Sequence, residues 1–206
     1  MRAVVLKEYG SLDNLDLMEF PDPIPGPEEI IVDVRATAVN YVDLVLIGGT
    51  YQFRPEIPFV PGKGPAGVVK AVGENVHDFS PGDRVLAMAE QGGYAEFAPI
   101  HRNNCYRLPD GLSFSDAASM ALVYDTAWFS LVERGRFEAG EAVLVLGASG
   151  GVGLAAIQLV NALSGTALAG IANPGKADLV RDAGAAHIVD LAAGDLRNSL
   201  REQVFA

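Results

Sequence analysis

The stretch Glu141-Ala142-Val143-Leu144-Val145-Leu146-Gly147-Ala148-Ser149-Gly150-Gly151-Val152-Gly153 decides the fold of this chain. Its first half is an apolar run of the kind buried on both faces of a parallel sheet. Its second half places Gly147, Gly150 and Gly153 at G-x-x-G-x-x-G spacing and leads into a helix-length segment ending near Leu163. A strand that turns tightly into a helix needs residues without a Cβ, and a phosphate must come close enough to meet the free N–H groups at the helix start. Gly147, Ser149, Gly150, Gly151, Val152 and Gly153 are therefore candidates to cradle a dinucleotide, with Gly153 allowing close helix-to-strand packing. The competing reading is a tight turn without a ligand; the flanking strand and helix favour the phosphate loop.

Downstream come a second strand (Ala167 to Ala172), a helix (about Lys176 to Ala183) and a third strand (His187 to Asp190). Strand–helix–strand–helix–strand is half of a doubly wound nucleotide-binding sheet. The end of its second strand bears on the choice of nicotinamide cofactor. NAD-binding versions usually place an acid there to grip the ribose hydroxyls. Here Gly170-Ile171-Ala172-Asn173-Pro174-Gly175-Lys176 offers no carboxylate before Asp178. Asn173 and Lys176 can bind the 2′-phosphate that an acid would repel, so NADPH is the expected cofactor. A solvated Lys176 at a helix start is the plainer alternative.

Upstream, Ser115-Asp116 reads as a helix cap, and helical spacing continues to about Glu133. Before that lie short apolar or alternating runs: Ala3 to Lys7, Ile30 to Ala36, Gly67 to Val72, Arg84 to Met88 and Tyr94 to Ala98. Pro and Gly clusters such as Pro21-Asp22-Pro23 and Ser80-Pro81-Gly82-Asp83 separate them, which predicts a compact barrel-like β domain. The expected division is a β domain over 1–120 and a partial nucleotide-binding domain over 121–206.

The formal net charge of -11 disfavours nucleic acid and anionic membrane as partners. Cys105 is the single cysteine, which excludes an internal disulfide and suits a reducing compartment. Glu8 arrives before a signal-peptide core can form, and no apolar run approaches the roughly 20 residues of a membrane span. The expectation is a cytoplasmic protein acting on a small molecule.

The pattern Gly140-Glu141-x-x-Leu144-x-x-x-Ala148-Ser149-Gly150-Gly151-x-Gly153-x-x-x-x-Gln158 resembles the signature of the quinone oxidoreductase and ζ-crystallin family, the zinc-independent branch of the medium-chain dehydrogenases/reductases. Its last position, usually Lys, Arg or Ser, is Asn161 here. The segments Ala38-Val39-Asn40-Tyr41-Val42-Asp43, Pro58-Phe59-Val60-Pro61-Gly62, Pro81-Gly82-Asp83-Arg84-Val85 and Gly92-Gly93-Tyr94-Ala95-Glu96 are similar to the same family. The resemblance implies an α/β chain: a chaperonin-10-like β-barrel domain, then a partial Rossmann domain built on a doubly wound parallel sheet. It implies a homodimer that transfers hydride from NADPH to a quinone or similar electron-poor carbonyl without a metal. An enone or enoyl thioester is the alternative acceptor, and an NADPH-binding protein without turnover is the alternative from another class.

The resemblance also implies site residues. Asn40, Tyr41, Asp43 and Tyr51 would lie near the nicotinamide and substrate, with Asn40, Tyr51 and Asp43 the catalytic candidates, and Thr126 would lie beside the cofactor. Asn40 and Lys63 stand where zinc-binding relatives carry Cys and His, and a lysine ammonium cannot ligate zinc. Cys105 alone cannot build a four-cysteine structural site. The pair Lys63-Gly64 departs from zinc-free members, which commonly carry an acid where Gly64 stands, and the role of Lys63 stays open. Relatives are substantially longer, so Ala142 to Leu146 is expected to form an uncovered sheet edge, and the chain alone to bind NADPH weakly and turn over slowly.

Overall fold

The computed structural model describes residues 1–192 and 196–203. The chain divides into two compact units, the first spanning Met1–Leu122 and the second beginning at Val123.

The first unit contains strands β1 (Arg2–Leu6), β2 (Leu15–Glu19) and β3 (Glu29–Ala36), then helix α1 (Tyr41–Ile47). Strands β4 (Ala66–Val72), β5 (Arg84–Ala87), β6 (Phe97–His101) and β7 (Cys105–Arg107) follow, and α2 (Phe114–Met120) ends the unit. Five strands form an antiparallel sheet in the order β6-β3-β4-β5-β7. Residues two apart line its buried face: Ile30 and Val32 on β3, Val85 and Ala87 on β5, Ala98 and Ile100 on β6. The β1–β2 hairpin is joined to this unit by bridges between Ala3 and Ala95 and between Leu6 and Phe59.

Three expectations need correction here. The strand expected over Tyr94 to Ala98 begins only at Phe97. The backbone N–H groups of Gly92, Gly93 and Tyr94 instead donate to the Val60, Gly62 and Pro61 carbonyls at 2.8–2.9 Å, while the Tyr94 carbonyl accepts from Val4 of β1. The helix expected to run to about Glu133 is broken into α2, α3 (Val123–Trp128) and a wider π-helical segment over Phe129–Arg134. Helix α1 lies in a region where only strands were expected.

In the second unit, β8 (Ala142–Leu146), α4 (Gly151–Ala162), β9 (Thr166–Ile171), α5 (Ala177–Asp182), β10 (His187–Asp190) and α6 (Leu196–Gln203) follow the π-helical segment. The strands are parallel in the order β10-β9-β8, the half-sheet the sequence implied. The middle strand is buried almost throughout: Ala167, Leu168, Ala169 and Ile171 expose 4% or less. Ile157 and Val160 of α4 pack in one cluster with Ala167 and Ala169, and burying a side chain such as Ile157 stabilises by about 1.5–3 kcal/mol. Among the described residues β8 has a single neighbour, β9. The strand is also only half-buried, with Leu146 58% exposed, so it is not enclosed on both faces as its apolar run implied. Among the described residues no helix is long and apolar enough to cross a membrane.

Candidate active site

The candidate residues fall into three groups, two in the second unit and one in the first. The first is the turn from β8 into α4. Gly147 adopts φ +69°, Gly150 caps the helix in an extended conformation, and Gly151, Val152 and Gly153 form its first turn. The first N–H groups of a helix have no intrahelical acceptor, and the helix dipole adds positive potential there. Gly151 and Val152 are exposed, so their backbone is open to a ligand. Gly153 is buried, and a Cβ on it would fall 2.6 Å from the Gly147 carbonyl oxygen and 2.7 Å from Cα and O of Ala148. The glycine allows the helix start to lie directly on the turn. Helix α3 packs along α4 through Ala127, Ala155 and Ala156. Thr126 is exposed on α3, and its carbonyl accepts from the Ser130 hydroxyl at 2.8 Å.

The second group follows β9. Asn173 caps a short 3₁₀ turn over Pro174–Lys176, its Oδ1 accepting from the Gly175 N–H at 3.0 Å. That leaves the Asn173 amide NH₂ as a donor. Lys176 is exposed and, among the described residues, makes no ion pair. Asp178, the first carboxylate after the strand, is engaged by Arg181 at 2.5 Å.

The third group surrounds the start of α1. Asn40 is its N-cap, and the Asp43 carboxylate Oδ2 accepts from the Asn40 N–H at 2.8 Å, half of a capping box. The Tyr94 hydroxyl donates to the same oxygen at 2.9 Å. Asp43 is only 2% exposed, and among the described residues its Oδ1 has no hydrogen-bond partner. Burial, reinforced by the hydrogen bond to Asp43, raises the Tyr94 phenol well above its ordinary range. Tyr94 therefore stays a protonated donor at any working pH. Asp43 thus occupies a holding position under α1, whereas Asn40 and Tyr51 are half-buried and Tyr41 is 81% exposed.

Sequence reasoning left out the surroundings of Tyr51. The Lys63 side chain is 5% exposed, forms an ion pair with Glu90, and carries its Nζ 4.6 Å from the centre of the Tyr51 ring. It lies between Gly62 at φ +95° and Gly64 at φ +65°. A Cβ at Gly64 would fall 2.5 Å from Cβ of Ala121, so the acid that relatives carry there has no room. The odd pair Lys63-Gly64 was the available signal. Glu90 and Tyr94 gave none, since nothing in their spacing ties them to residues 27 and 51 positions away.

Residues 26–110 match the alcohol dehydrogenase GroES-like domain. Over 164 residues the chain is 42% identical to human quinone oxidoreductase, which covers 79% of this chain and 50% of that protein. The crystal structure of Escherichia coli quinone oxidoreductase complexed with NADPH is similar at TM-score 0.88 and 29% identity, over 98% of this chain and 62% of that one. An NAD-dependent alcohol dehydrogenase structure is similar at TM-score 0.92 and 30% identity, over 98% of this chain and 67% of that one. The chain spans about half the length of the curated relatives it matches.

Proposed function

The chain belongs to the quinone oxidoreductase family of the medium-chain dehydrogenases/reductases, and on that premise we propose that it is part of an NADPH-dependent reductase of quinones. The observation that carries this reading is the backbone-lined helix start at Gly151–Gly153, followed by a strand end without a carboxylate. The residues fit the cofactor. The N–H groups of the first turn of α4, with Ser149, would hold the diphosphate. The Asn173 amide and Lys176 would hold the 2′-phosphate, and Thr126 would lie along the same ligand. The E. coli relative was crystallised with NADPH, which supports this choice.

When bound, the nicotinamide supplies the hydride. The chain's own residues position the acceptor and stabilise the charge that forms on its oxygen. The Asn40 amide and the Tyr51 hydroxyl are suitable donors to that oxygen, and Asp43 holds the Asn40 segment in place through its backbone N–H. A quinone suits donors of this strength, because its reduced form is stable without a strong acid to protonate it. Turnover of NADPH with a panel of benzoquinone, naphthoquinone, an enone and an enoyl thioester tests the reading. Quinones are expected to be reduced fastest, however slow the chain alone; faster reduction of the enoyl thioester overturns it.

The proposed chemistry needs no zinc. The Lys63 ammonium has no lone pair for zinc and is already paired with Glu90, and Asn40 is not among the usual Cys, His or carboxylate ligands. Metal analysis of the purified chain is expected to find far less than one zinc per chain. About one per chain, with activity lost to chelators, sinks this part of the proposal. A cytoplasmic setting is consistent with Cys105, whose burial, aided by Asp78, pushes its thiol up to about 12 and keeps it in the unreactive protonated form.

A further inference from the structure

Lys63 brings a charge out of water although a fold of this kind could fill the same space with an apolar side chain. Burying an ammonium costs several kcal/mol before its partner is counted, and buried ion pairs are often replaceable by apolar groups without loss. The pairing is also lopsided. The Lys63 side chain is 5% exposed and that of Glu90 is 59% exposed, so the carboxylate keeps most of its hydration while the ammonium is buried. Two glycines with positive φ flank Lys63, and Gly62 lies so close to Tyr94 that a Cβ there would meet its backbone N at 2.7 Å. The backbone is thus shaped on both sides of a buried cation. That cation lies over the face of Tyr51, whose hydroxyl makes no hydrogen bond among the described residues.

We propose that Lys63 is the fixed positive charge that stabilises the oxyanion formed on the acceptor, acting beside the Tyr51 hydroxyl. This rests on the quinone-reductase reading above. As hydride adds to the acceptor, the carbonyl π pair moves onto oxygen, the acceptor gains two electrons, and the cofactor loses two. The Tyr51 hydroxyl donates a hydrogen bond to that oxygen. The Lys63 ammonium supplies the compensating charge without giving up a proton, and the reduced product takes its proton from water. Lys63 is a positioning residue here, and its contribution is the field it holds at Tyr51.

Binding of 4-nitrophenolate, an aromatic oxyanion, and of its neutral relative 4-nitroanisole tests this without turnover. Equilibrium dialysis is run on the full chain, with thermal unfolding alongside. Lys63→Met is expected to weaken nitrophenolate by roughly 10-fold or more and to leave nitroanisole unchanged. Glu90→Gln is expected to tighten nitrophenolate, because the ammonium loses its counter-charge. If the pair were merely structural, the two variants would weaken both ligands alike, and that result overturns the proposal. So does equal nitrophenolate binding by the parent chain and Lys63→Met. Should Lys63→Met fail to fold, Glu90→Gln alone decides by the direction of its effect. Failure of the parent chain to bind either aromatic would instead remove the acceptor-site reading on which the proposal stands.

Discussion

Gly153→Ala is expected to cost the second unit stability and to abolish measurable NADPH binding. The added methyl would lie 2.6–2.7 Å from three backbone atoms, O of Gly147 and Cα and O of Ala148. No rotamer relieves such a contact, because a Cβ has no torsion of its own and its neighbours belong to the main chain. Helix α4 would have to lift away from the turn, loosening the packing of Ile157 and Val160 against β9. Overpacking of this sort costs about 1–3 kcal/mol. The same shift misplaces the N–H groups of the first turn, whose use depends on a fixed approach to phosphate. Gly150→Ala is the control. Its Cβ would meet only the Gly147 oxygen, at 3.5 Å, in a backbone conformation open to any residue. Its stability should stay within about 0.5 kcal/mol of the parent. Chemical denaturation followed by calorimetric titration with NADPH measures both effects. Parent-like stability and affinity in Gly153→Ala would mean that the close approach at this glycine is not what shapes the loop.

That contact also marks how far the sequence could be read. The β8–α4 turn was legible because its parts are local: an apolar run, glycines at fixed spacing and a helix-length segment all lie within 25 residues. The order β10-β9-β8 followed from the alternation of strands and helices, since parallel neighbours need crossover connections. The strand β10 was placed residue for residue, because His187–Asp190 is bounded by a glycine turn before it. Where burial is not periodic, reading failed. Strand β2 has no buried residue and exposes Leu17 at 71%, so the brief Leu15–Leu17 alternation gave too little pattern to find its pairing with β1. Strand β7 has three residues, too few for any period.

The site shows the same division. Gly147 to Gly153 and Asn173 to Lys176 are contiguous, and their roles could be argued from neighbours in the chain. In the first unit Asp43 meets Tyr94 across 51 positions, and Lys63 meets Tyr51 and Glu90, contacts that form only once the loops fold. The family resemblance alone made Asp43 a catalytic candidate. In the fold it caps α1 and receives the Tyr94 hydroxyl, with 2% of its surface exposed. The Asn-x-x-Asp spacing of a capping box was visible in the sequence and pointed to that role.

Lys176→Ala is expected to weaken NADPH binding by roughly 10- to 150-fold while leaving NADH nearly unchanged, the loss of a charge-assisted phosphate contact being about 1.5–3 kcal/mol. The magnitude follows from the surroundings. The chain carries a formal net charge of -11, so a dianionic phosphate must find its positive potential locally. Among the described residues after β9, Arg181 is committed to Asp178, whereas Lys176 makes no ion pair. Asn173 contributes donors but no charge, and its Oδ1 is already used by the Gly175 N–H. The effect should shrink as salt is raised, since Lys176 is exposed and the contact is screened. Asn173→Asp gives the complementary result. It keeps the cap oxygen for Gly175, introduces the acid that grips ribose hydroxyls in NAD-binding relatives, and should turn preference toward NADH. Titration of each variant with both cofactors, at low and moderate salt, measures the preference directly. Equal losses for NADPH and NADH in Lys176→Ala would show that this lysine does not meet the 2′-phosphate, and the basis for expecting NADPH at the end of β9 would go with it.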